Sequence, residues 1–267
     1  SSDAGTGKLD LLVDGSQLMT GPLNIQRVFV SLPMQINLDQ DTWRIALRSP
    51  GLIKLGKIDP MNTLSFPDSP GFSISQADFE WVKHLQGWVL KHDILVTPTN
   101  FTLLAEQEKS AAIETQIQPG KIALNGTLDA DEKYRGQVAI KDATFFMPQS
   151  HLQLKHISAN LYLGAAKTDK VADFAIGQLQ HLAPAPFFEA LSFAGSIKKK
   201  SVDEKPVVYS LNATGGAPGS RYLKFSGKHT FDSGMLKVEI APLSFSPDSL
   251  QPAALSPVLA PLEDVSG

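Results

Sequence analysis

Six histidines, His84, His92, His151, His156, His181 and His229, are the side chains best suited to metal binding or proton transfer in this cysteine-free chain. His151 and His156 are five apart, which places them on opposite faces of an unbroken strand. The apolar phase flips between Leu154 and Ile157, so a bulge at Lys155 would bring them to one face. No Asp or Glu lies between Asp142 and Asp169, so no local third ligand or orienting carboxylate is at hand. The spacing favours solvated strand histidines. Asp129, Asp131 and Glu132 resemble the start of a calcium loop, but Lys133 stands where a ligand is wanted and Tyr134 replaces the turn glycine. A solvated hairpin tip is expected there.

Gly5-Thr6-Gly7-Lys8 shares the end of a phosphate-binding loop, but it lacks the first glycine and is followed by Leu9. It reads as a flexible terminus. Lys198-Lys199-Lys200, followed by Asp203, Glu204 and Lys205, has mixed sign and reads as a hairpin tip, with a membrane-headgroup contact as the alternative. Neither G-x-S-x-G nor H-E-x-x-H occurs. Paired acids of an all-β glycosidase can stand at any separation, so that chemistry stays open. Asn100-Phe101-Thr102, Asn125-Gly126-Thr127 and Asn212-Ala213-Thr214 match glycosylation acceptors at the level chance produces. No catalytic or metal site and no cofactor is expected.

Composition narrows the class. The chain has 267 residues, 42% apolar and 19% charged, too apolar for disorder and low in charge for a cytosolic protein. A net charge of -3 offers no bulk positive field for nucleic acid. The absence of cysteine excludes disulfides, thiolate zinc and a cysteine nucleophile. No run approaches 18 apolar residues.

The elements that must position any site are strands. Val28, Val30, Leu32, Met34, Ile36 and Leu38 occupy every second position, with a mostly polar set between them. After Asp39-Gln40-Asp41, Trp43, Ile45 and Leu47 alternate with Arg44, Ala46 and Arg48, which predicts a hairpin with Pro33 at an edge or a bulge. The alternation returns at Ile113 and Ile117, at Ile122 and Leu124, at Val138 and Ile140, and at Ile157, Ala159, Leu161 and Leu163. It continues at Val207 to Ala213, at Leu223 and Phe225, and at Leu236, Val238 and Ile240. Gly and Pro punctuate the intervals, as an antiparallel sheet requires. Phe79, Val82, Leu85 and Val89 fit a helix as well as two strands, and one helical turn is expected within Pro257 to Glu263.

Two segments carry a family texture. Gln118 to Leu128 and Tyr222 to Phe231 both read apolar-x-apolar-x-Gly-x-apolar or aromatic, each followed by a polar turn and another alternating strand. This resembles the AsmA-like superfamily of repeating β-groove envelope proteins, nearest in texture to its YdbH-type branch. The run Leu255 to Gly267 resembles the linker that introduces a next repeat there. The resemblance implies an all-β fold, an elongated antiparallel sheet curved into a trough with few or no helices. Residues 1–267 would be one fragment of a longer chain, with sub-repeats at 8–105 and 106–245 and a linker at 246–267. It further implies a periplasmic protein of a Gram-negative bacterium, anchored in the inner membrane outside this chain, with no catalytic residues. Its apolar interior would carry phospholipid acyl chains.

The residues expected to line that interior are Val28, Val30, Leu32, Met34, Ile36, Leu38, Trp43, Ile45, Leu47, Ile122, Leu124, Val138, Ile140, Leu161, Leu223, Phe225 and Val238. Period two alone does not separate an open trough from a closed sandwich core. Two other readings stand beside the lipid conduit. One is an envelope adaptor that docks a protein partner by strand addition at a sheet edge. The other is an all-β carbohydrate-active domain.

Overall fold

The computed structural model describes residues 5–15, 18–20, 23–58, 64–107, 110–164, 169–199, 208–218, 220–230, 235–243, 250–252, 255–259 and 261. The protein is all-β and antiparallel, with 72% strand and 3% helical residues, so the expectation of few or no helices holds. The chain divides into two compact units, Ser1–Ala143 and Thr144–Gly267.

In the first unit, β1 (Gly5–Gly15) pairs along its whole length with β4 (Val28–Leu38). The expected flexible terminus at Gly5 to Lys8 is therefore corrected. Gly5, Gly7, Leu9, Leu11 and Val13 continue one period-two row, and Gly5 lies opposite Leu38. The short strands β2 (Leu18–Thr20) and β3 (Leu23–Ile25) pair with each other. The hairpin of β4 with β5 (Thr42–Leu47) forms as the alternation predicts, with Leu38 opposite Trp43 and Ile36 opposite Ile45.

Pro33 is not at an edge. Strand β4 has β1 on one side; on the other, β6 (Gly51–Leu55) pairs with Val28 to Ser31 and β5 pairs with Met34 to Leu38. Pro33 falls where one partner gives way to the next, so its missing N–H interrupts no ladder rung on that side. Its carbonyl still accepts from Arg48 N–H at 2.9 Å.

Beyond β7 (Leu64–Ser65) come β8 (Gly71–His84) and β9 (Gly87–Pro98), which turn at Leu85-Gln86. The choice between a helix and two strands around Phe79 to Val89 is thus decided for strands. A bulge at Ser75 shifts the register between Ile74 and Gln76 and breaks the period that sequence reading depends on.

Strand β9 continues into β10 (Phe101–Gln107), and β11 (Ser110–Gln118) continues into β12 (Lys121–Leu128). Phe101 lies opposite Ile117 and Val96 opposite Ile122, so one register runs through both breaks. The second break is Pro119-Gly120, where Gly120 takes φ +70° and a Cβ would stand 2.1 Å from the Lys141 carbonyl. Strand β13 (Tyr134–Met147) answers with Asp142 at φ 61°. The charged tip before it closes as expected: Asp129 N–H donates to Lys133 O at 3.0 Å, and Glu132 adopts φ 60°.

In the second unit, β14 (Leu152–Leu163), β15 (Lys170–His181), β16 (Leu191–Lys199), β17 (Val208–Gly216), β18 (Leu223–Thr230) and β19 (Met235–Ile240) pair each with the next. The phase flip in β14 is real but sits at His156, not Lys155. His156 has φ 53° and lies between the pairs Lys155 to Gln178 and Ile157 to Ile176. Gly177 leaves it room, since a Cβ there would stand 2.8 Å from His156 Cβ. A 3-10 turn at Pro257–Leu259 supplies the helical turn expected near the end. Residues 200–207, which hold most of the lysine-rich tip, lie outside the described residues, as do 244–249 and 262–267.

Candidate functional site

Residues directly opposite in adjacent strands point to the same face of a sheet, so the registers define that face residue by residue. In the first unit the row begins with Leu9, Leu11 and Val13 on β1 and Val30, Leu32, Met34 and Ile36 on β4. It crosses to Trp43, Ile45 and Leu47 on β5 and to Ile53 and Leu55 on β6. Phe72, Ile74, Phe79 and Trp81 follow on β8, then Leu90, Ile94 and Val96 on β9. Ile122 and Leu124 on β12 and Val138 and Ile140 on β13 complete it. The thirteen residues expected from Val28 to Ile140 thus fall on one face.

The four remaining expected residues lie in the second unit, where Leu161, Leu223, Phe225 and Val238 also share one face. There, Phe174 lies over Gly195 and Phe193 over Gly215, because a Cβ on those glycines would meet the rings at 2.6 and 2.3 Å. Phe193 and Phe225 have ring centroids 5.8 Å apart.

These faces are not sealed. Among the described residues no large side chain is fully buried, whereas a closed sandwich hides its inward row almost completely. Met34 and Ile74 are the best covered of the large residues on the first unit's face, yet Leu9, Leu38 and Trp43 on the same face are 43%, 42% and 48% exposed. In the second unit Val238 is 49% exposed. Contiguous apolar surface of this kind calls for an occupant.

Among the described residues of each unit, charge lies on the opposite face and at the strand ends. Arg44 donates to Asp78 at 3.0 Å, Arg27 pairs with Asp14 at 2.9 Å, and Arg48 pairs with Asp10. The hydrogen bond from Arg27 holds the Asp14 carboxyl below its ordinary range. In the second unit the hydrogen bond from Lys170, and then that from the Tyr162 hydroxyl, does the same for Asp173 against slight desolvation. These pairs are solvated, so their role is to keep this face wet rather than to add much stability.

One polar pair interrupts the apolar face. His92 on β9 lies opposite Phe79 and Gly126, and Tyr134 lies on the same face at the start of β13. The two rings stack at 5.6 Å with 1° between their planes, and His92 Nε2 is 2.8 Å from Tyr134 Oη. The phenol lies flat because Gly126 and Gly136 leave room, since a Cβ on either would come within 2.4 and 2.3 Å of Oη. Periodicity had no means of finding this pair, which is 42 residues apart. The two glycines on an otherwise apolar row were its only trace.

The other histidines make no ligand set. His151 meets His181 edge-on at 6.2 Å, and His181 Nδ1 accepts from Phe187 N–H at 3.1 Å. No group of three or more His, Asp or Glu able to hold a metal occurs among the described residues. No helix among them is long and apolar enough to cross a membrane. No family model, curated protein or solved structure matches this chain.

Proposed function

We propose that this chain is a periplasmic lipid-binding segment of a bacterial envelope protein that carries phospholipid between membranes, with the acyl chains against the apolar sheet face. One observation carries the reading. A continuous apolar face, assembled by the registers of eight strands, stays partly exposed while the charged pairs gather on the other side. Acyl chains complement such a surface because they need no hydrogen bond from it and gain free energy on leaving water. The resemblance in strand texture to the β-groove envelope proteins points the same way. On this reading the role is binding and conduction rather than catalysis.

The tryptophans offer a direct test. Trp43, Trp81 and Trp88 all lie on the apolar face, and Trp43 and Trp88 have ring centroids 5.0 Å apart. Phospholipid brominated midway along its acyl chains is expected to quench most of the tryptophan emission, because heavy-atom quenching needs contact. Organic extraction of protein purified without added lipid should also release phospholipid. Unquenched emission together with a lipid-free extract would remove the proposal and leave a protein-docking role for the face.

A further inference from the structure

We propose that His92 and Tyr134 form a polar station within the apolar face that donates one hydrogen bond to the carbonyl or carboxylate oxygen of a bound acyl compound. This rests on the lipid-binding reading above and adds to it where along the face the polar end of the ligand is held.

The proton positions follow from the surroundings of His92. Its Nδ1 is buried and has no hydrogen-bond partner, whereas Nε2 is 2.8 Å from Tyr134 Oη. A neutral imidazole carries its proton on one nitrogen only. If that proton sat on Nδ1, a buried N–H would lack an acceptor, the kind of orphan that folded proteins most avoid. With the proton on Nε2, the unpaired atom is a bare acceptor, the more tolerated case. Nε2–H then donates to Tyr134 Oη.

That assignment decides what the phenol can do. A tyrosine hydroxyl has one proton to give and lone pairs that accept. Its lone pair is taken by His92, so its own proton is left for a group above the sheet. Among the described residues Tyr134 Oη has no hydrogen-bond partner besides His92, and the face positions about the pair are Leu128, Leu90, Phe79, Trp81, Ile94, Leu124 and the two glycines. Tyr134 is half-buried with its ring flat over Gly126 and Gly136, so an acyl chain laid along this face would pass over it. Accepting from His92 also polarises the O–H and makes it a better donor. The ligand class that fits combines an alkyl chain with a hydrogen-bond acceptor, either a free fatty acid or an acyl ester.

The test uses three ligands of equal chain length, followed by tryptophan emission: lauric acid, methyl laurate and 1-dodecene. Tyr134→Phe removes one oxygen and keeps the ring over Gly126 and Gly136, and circular dichroism checks that the variant folds. The variant is expected to weaken lauric acid, methyl laurate or both by about five- to tenfold, the worth of one hydrogen bond, and to leave 1-dodecene unchanged. Loss confined to lauric acid identifies a free carboxylate as the natural acceptor, and loss confined to methyl laurate identifies an ester. Equal weakening of all three, or of none, overturns the station while the lipid-binding reading stands. A wild-type chain that binds none of the three overturns both.

Discussion

Replacing Ile45 by Asp is expected to leave a folded protein that has lost its bound phospholipid. Ile45 lies between Ile36 on β4 and Phe79 on β8, in the middle of the apolar row, and is only half-buried. A carboxylate there can stay hydrated when the face is unoccupied, so the folding cost is moderate, about 1–2 kcal/mol for lost apolar contact. An acyl chain laid over the same position would strip that water and leave the charge unpaired, which is far costlier. Bound lipid, measured by extraction and mass spectrometry, should therefore fall by about tenfold or more, while the melting temperature moves by a few degrees. Gln35→Asp, on the opposite face one residue from Met34, should change neither. If Ile45→Asp instead unfolds or precipitates, the row is a closed core and the conduit reading fails.

Gly120→Val is expected to be the most damaging single change in the first unit. Gly120 holds φ +70°, which a β-branched residue adopts only under strain, and its Cβ would meet the Lys141 carbonyl at 2.1 Å. Neither the backbone carbonyl nor the neighbouring Asp142, itself at φ 61°, can move without breaking the β12–β13 ladder. The expected loss is on the order of 3 kcal/mol or more, read from urea denaturation. Gly7→Ala is the matched control: nothing lies within 4 Å of its Cβ, and stability should stay within about 0.5 kcal/mol. Equal effects at the two positions would mean that the turn at Pro119-Gly120 is not held as described.

Much of the fold was legible because a strand writes its two faces into alternate residues. Val28 to Leu38 and Trp43 to Leu47 announced both the hairpin and its apolar side, and the alternation in β12 and β13 was equally plain. Strands β8 and β9 were obscured where Ser75 inserts an extra residue and where the spacing around Phe79 to Val89 fits a helix as well. Strands β15 and β16 went unread for a related reason: Gly177 breaks the phase of one, and small residues such as Ala194 and Gly195 weaken the other. The start of β1 was hidden by Gly5 and Gly7, whose composition says loop although their pairing says strand.

By itself the sequence determined that the chain is built of strands and which residues of each long strand share a face, since period two is a property of the local backbone. Only the tertiary structure decided that within each unit those separate rows join into one face and that the face stays partly open. Register is set by pairing between distant segments, and a single bulge reverses it. The same cause hid His92 and Tyr134. Their contact depends on two successive ladders and on two glycines that leave a ring room to lie flat, and no local pattern records such an arrangement.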